Sequence, residues 1–136
     1  MLWPAALTVQ NKSIPLPSNL GEINPNGYKY VLGIFAPAKD FLKITSYYLN
    51  TPDVTKISFV FDKIDDDMVK LISNVIKEVK DPPIHVSGFC MKSGKYIYEL
   101  YTRGKKQTAN KIIQLVQKLP TKFESTVEEI AVQAKP

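Results

Sequence analysis

Residues 68–79 place Met68, Leu71, Ile72, Val75, Ile76 and Val79 along one side of a helix, with charged residues on the other. An apolar stripe of this kind must be covered, so the chain has to supply a surface that receives it. Two runs rich in β-forming residues, YKYVLGIFA at 28–36 and ISFVF at 57–61, are the candidates. Their apolar residues follow one another rather than alternate, the pattern of strands buried on both faces. Helix stripes interleaved with strands of this kind imply an α/β domain. Acids at Asp62, Asp65, Asp66 and Asp67 precede the helix, where they complement its dipole, and Asp81-Pro82-Pro83 ends it.

The remaining elements are read the same way. Pro37 suits the first turn of a helix, and Phe41, Ile44 and Tyr48, with Leu42 and Leu49, recur at helical spacing. A helix is thus expected over 37–50, broken by Thr51-Pro52-Asp53. Residues 84–91 read as a third strand, Ser93-Gly94 as a turn, and 96–102 as a fourth, antiparallel edge strand. Ala109, Ile112, Ile113, Val116 and Leu119 mark a last helix, stopped by Pro120. In the tail, 121–136, Ser125 with Glu128 and Thr126 with Glu129 match the capping box, which predicts a short helix. Residues 1–27 read as an extension. Leu7-Thr8-Val9 and Ile14-Pro15-Leu16 would form a short hairpin, followed by a Pro- and Asn-rich loop.

The expected order is β-α-β-α-β-β-α, an α/β fold with a mixed four-stranded sheet and helices on both faces. The domain would occupy 28–120. Its two strand–helix–strand crossovers call for parallel pairing.

The chain has 136 residues and suits one domain. No segment approaches the roughly 18 apolar residues needed to span a bilayer. The apolar start, 1–9, has no preceding basic stretch and is interrupted by Pro4, so no membrane contact and a cytoplasmic location are expected. The net charge of +5 is uneven. Lys92, Lys95, Arg103, Lys105, Lys106, Lys111, Lys118 and Lys122 face a lone acid, Glu99, in that stretch. Such a concentration either attracts phosphate or is solvated surface.

Few residues suit chemistry. Cys90, the sole cysteine, lies in phase with Val86 and Gly88 and is expected to be a buried small hydrophobe. His85, the sole histidine, falls on the opposite face, so the two do not form a zinc ligand set. The Asp65-Asp66-Asp67 run lacks the ligand spacing and glycine of a calcium loop and reads as helix capping. No metal, no cofactor and no catalytic constellation is expected. Tyr96 and Tyr98 share a strand face with Leu100, and Tyr101 lies opposite with Ile97. These aromatics either cover apolar sheet or stack bases beside the lysines.

The order of elements, with Pro83 before Ile84-His85-Val86, the Ser93-Gly94-Lys95 turn and Gly104 before the last helix, resembles the thioredoxin-like fold over residues 28–119. The resemblance implies a cis bond at Pro83. It also implies a peptide-binding groove between Pro37, Lys39, Asp40 and Phe41 on one side and Pro82, Pro83 and Ile84 on the other. The Cys-x-x-Cys of that family is missing from its expected place, Ala38-Lys39-Asp40-Phe41-Leu42, and thiol–disulfide exchange needs a thiolate. The resemblance therefore implies a redox-inactive, non-enzymatic module that binds a protein or peptide, with a homodimer as one arrangement. The alternative is nucleic-acid binding. The first six elements also fit Alba-like chromatin proteins and initiation-factor C-terminal folds, with Lys92, Lys95, Tyr98, Arg103, Lys105, Lys106 and Lys111 as the contact face.

Overall fold

In the computed structural model, residues 27–132 are described, and the chain divides into two compact units, 1–48 and 49–136. The hairpin expected at 7–16 lies outside the described residues. In the first unit, β1 (Tyr30–Pro37) and β2 (Leu42–Leu49) form a two-stranded sheet. Its turn is closed by the Ala38 N–H, which donates to the Phe41 carbonyl at 2.8 Å. The helix expected over 37–50 is therefore a strand. Ile44, Thr45, Tyr47 and Tyr48 are β-branched or aromatic and favour a pleated surface, and apolar positions 41, 42, 44, 48 and 49 fit either period. Nor is β1 buried on both faces, since Val31 and Phe35 are more than half exposed. The rings of Tyr28 and Tyr48 stack, with centroids 5.8 Å apart.

The second unit holds β3 (Val54–Phe61), α1 (Asp66–Lys77), β4 (His85–Cys90), β5 (Tyr96–Arg103), α2 (Lys106–Gln117) and β6 (Phe123–Ile130). Its sheet has the order β4-β5-β3-β6, and every neighbouring pair is antiparallel. This is a split β-α-β arrangement. The strands joined through α1 do not pair with each other, because β5 lies between them. The expected mixed sheet with parallel crossovers is thus replaced by a purely antiparallel one, and β5 is central rather than an edge. The tail expected to be helical forms β6, in register with β3 from Val54↔Ile130 to Phe61↔Phe123. Capping-box spacing there is overridden by the open side of β3, against which Phe123 and Val127 reach the core.

α1 and α2 match the sequence expectation. Asp65 caps α1, its carboxylate accepting from the Met68 N–H at 2.8 Å. Both helices pack on one sheet face, not on two. Ile72 and Ile76 of α1 and Ala109, Ile112 and Val116 of α2 meet Ile57, Phe59 and Phe61 of β3 and Tyr96, Tyr98 and Leu100 of β5. In register, Ile57↔Leu100, Phe59↔Tyr98 and Phe61↔Tyr96 are cross-strand pairs, so this face is one continuous apolar layer. No cis peptide bond occurs among the described residues, so Pro83 is trans: the Asp81-Pro82-Pro83 step is a helix stop. Among the described residues, no helix is long and apolar enough to cross a membrane.

Burial pushes the Tyr98 hydroxyl above its ordinary pKa, against a lowering hydrogen bond with Ser73, and burial does the same for Tyr96 with Cys90 adding to it. Desolvation acts to lower Lys56, but Tyr101, Glu99 and Glu128 outweigh it and leave its pKa raised. In all three the folded state holds its proton more tightly than the unfolded chain. The stabilisation is then whole below the unfolded values near pH 10 and declines as pH rises beyond them. Urea unfolding at pH 8 and pH 11 should show a loss at the higher pH that Tyr98→Phe reduces. Equal losses in both proteins would refute this assignment.

Candidate functional site

The two sides of the expected peptide groove do not take the form the sequence suggests. Lys39, Asp40 and Phe41 form the β1–β2 turn, after Pro37 at the end of β1, so no helix start provides that wall. Pro82, Pro83 and Ile84 lead into β4 in the other unit.

The proposed nucleic-acid face is also divided. Lys92 and Lys95 sit at the β4–β5 turn, whereas Arg103, Lys105 and Lys106 lie at the far end of β5, an eight-residue strand away. Lys111 is on α2, on the helical side. Tyr98 is 5% exposed and belongs to the core, so it cannot stack a base. Lys95 lies 3.8 Å from Asp62.

The basic end at residues 103–106 is a tightly wired corner. Gly104 has φ +107, a left-handed backbone that favours glycine. Its N–H donates to the Asp53 carbonyl at 2.9 Å, and its own carbonyl accepts from the Thr55 hydroxyl at 2.7 Å. α2 begins there with no side-chain cap and no acid in its first turn. The vacancy is filled from β6: the Lys106 N–H donates to Glu129 Oε1 at 3.2 Å. A carboxylate of the chain itself thus holds the place a phosphate would take at a helix start. Glu129→Gln should lower stability by about 0.3–1 kcal/mol in urea denaturation at low salt and by less at high salt. An unchanged midpoint would show the contact to be incidental.

On the sheet face away from the helices, Lys56 occupies the centre. Its ammonium lies 3.4 Å from Glu99 and 5.8 Å from the Tyr101 ring centroid, and the Tyr101 ring meets His85 edge-on at 6.0 Å. The cation at the centre of this face already has its partners. No cluster able to hold a metal occurs among the described residues.

The exposed apolar surface of this unit concentrates at β4. Val86 is 40%, Phe89 47% and Met91 45% exposed, and Cys90 is exposed as well. The sequence suggests a buried Cys90 in a central strand. Instead β5 takes the central place and leaves β4 at the edge. On its inner side, the Met91 N–H donates to the Lys95 carbonyl at 2.8 Å, continuing the β4–β5 register. Hydrogen-bonded pairs alternate along an antiparallel ladder, so Ser87 and Phe89 bond β5, while Val86, Gly88 and Cys90 turn their N–H and C=O groups outward. Among the described residues no strand pairs with that outer side. Tyr96 covers Gly88 from the helix side: a Cβ there would run into its hydroxyl.

The two edges of the sheet are unlike. β6 carries Glu124, Glu128 and Glu129, all exposed, and charges of this kind discourage strand addition. From His85 to Cys90 there is no Asp, Glu, Lys, Arg or Pro. The uncharged run is visible in the sequence but also suits a buried strand, so only the position of β5 reveals it as an edge strand of this sheet. In comparisons with known proteins, no family model, no curated protein and no solved structure matches this chain.

Proposed function

We propose that this chain is a non-catalytic protein-binding module whose β4 edge receives an extended strand from its partner. The contrast between a charge-guarded β6 and an unguarded, apolar β4 carries this reading. Strand addition draws affinity from main-chain hydrogen bonds, here with Val86, Gly88 and Cys90, and specificity from flanking side chains. Val86, on the helical side, and Phe89, on the other, supply those flanks. The reading keeps the expectation of a protein or peptide partner and moves it from a groove to an edge. Nucleic-acid binding has less support, since the basic residues are split between the ends of β5 and Glu129 already occupies the start of α2.

A display library of extended peptides, selected on the full chain, tests it. Val86→Pro removes an outward N–H while leaving the ladder to β5 whole. The selected peptides should lose at least about tenfold in affinity for that variant, roughly the worth of one or two hydrogen bonds, with the melting temperature little changed. Peptides indifferent to Val86→Pro would remove the edge from consideration. Salt-sensitive binding of mixed-sequence DNA or RNA, abolished by Lys105/Lys106→Glu and untouched by Val86→Pro, would favour the nucleic-acid reading instead.

A further inference from the structure

Building on the edge reading, we infer that the strand received at β4 is β4 of a second copy, paired antiparallel about a two-fold axis through Gly88. The outward-facing residues select this register. Centring on Gly88 makes Gly88 a hydrogen-bonded pair with its own counterpart and pairs Val86 with Cys90 of the other copy. Every outward N–H and C=O from Val86 to Cys90 then finds a partner. Side chains directly opposite each other share a sheet face, as an antiparallel pair requires. Size is complementary: Phe89 falls opposite Ser87, Val86 opposite Cys90, and no side chain lies on the axis.

Charge does not oppose this pairing. From His85 to Cys90 there is no Asp, Glu, Lys or Arg, so no like charges face one another along the strand. The exposed Lys80 and Asp81 before β4 offset each other, and the exposed Lys92 follows it. Self-pairing through β6 would instead gather Glu124, Glu128 and Glu129 from both copies. A two-fold pairing of one edge closes the assembly at two copies and removes the open edge.

The full chain should sediment as a monomer–dimer mixture that shifts toward dimer between about 1 and 100 µM, a range suited to a modest interface. Val86→Pro should remain monomeric throughout. Cross-linking fixes the register. In a hydrogen-bonded pair the Cα atoms are about 5.5 Å apart, within disulfide range, so Val86→Cys should join Cys90 of the other copy under a mild oxidant and give a covalent dimer. Within one chain, positions 86 and 90 are about 13 Å apart and cannot bridge, and the two native Cys90 residues are as far from each other. The unmodified chain should therefore stay uncross-linked under the same oxidant.

A chain monomeric at all these concentrations, with Val86→Cys uncross-linked, overturns the second copy as occupant. So does a dimer that survives Val86→Pro, or one in which native Cys90 cross-links instead. The broader edge reading is decided separately, by whether selected peptides lose affinity for Val86→Pro.

Discussion

A chain ending at Leu119 is expected to lose the cooperative unfolding transition of the second unit. Removing the tail takes away β6, which pairs with β3 along its whole length. β3 would become an edge with a row of unpaired N–H and C=O groups. Phe123 meets the Phe59 ring at 5.3 Å, nearly perpendicular, and the Phe61 ring at 5.6 Å, so both core rings would be uncovered. Glu129 would leave the start of α2 unsatisfied. Burying one large apolar side chain is worth about 1.5–3 kcal/mol, and domains of this size have only about 5–15 kcal/mol in all. Losing Phe123, Val127 and a full ladder therefore exceeds what the unit can absorb. Circular dichroism with urea denaturation is the measurement. A truncated chain with the full-length midpoint would mean that the tail is dispensable, as a frayed terminal helix would be.

Phe59→Ala is expected to destabilise the second unit by about 3–5 kcal/mol. Phe59 is fully buried, pairs with Tyr98 across the ladder, and lies between Phe61, at 6.3 Å between ring centroids, and Phe123. Removing the ring leaves a cavity at the centre of the sheet, where helices press from one side and neighbouring strands hold the backbone, so little can move in to fill it. Phe41→Ala is the contrast. Phe41 is 66% exposed at the β1–β2 turn, and its loss should shift stability by no more than about 0.5 kcal/mol. Urea midpoints for the two variants, with an unchanged slope, make the comparison. A small effect at Phe59 would mean that the core does not centre on β3.

Where local chemistry and packing agree, the elements are legible from residues alone. The α1 stripe at 68–79 and its Asp65 cap satisfy local hydrogen bonding and core burial together, and so does the α2 stripe at 109–119. The β4–β5 hairpin is legible because Gly94, at φ +87, supplies a left-handed turn position between two β-forming runs. Two segments read differently in sequence and structure because their apolar spacing is compatible with both periods. At 41–49 the β-branched and aromatic residues prevail over helical spacing. At 123–130 the unpaired side of β3, far away in sequence, prevails over the capping pattern.

Much of the candidate site was illegible for a related reason. Residues 84–91 are uncharged whether the strand is central or at an edge, and a strand's place depends on which neighbour is inserted beside it. Tyr98 shows the same limit in reverse. It stands among lysines in the sequence, yet its side of β5 is the covered one.

Local chemistry alone marks an α/β chain without a thiol pair, with amphipathic stripes at 68–79 and 109–119, a buried apolar strand at 57–61 and an antiparallel hairpin after the prolines. Those properties depend on residue type and on spacing within a few turns. The rest is set by the assembled sheet: β5 lies between β3 and β4, β6 flanks β3 on its other side, and β4 stands at an edge of the four strands. Strand order joins residues distant along the chain, and the hydrogen bonds and buried area that select it belong to the assembled sheet rather than to any one segment.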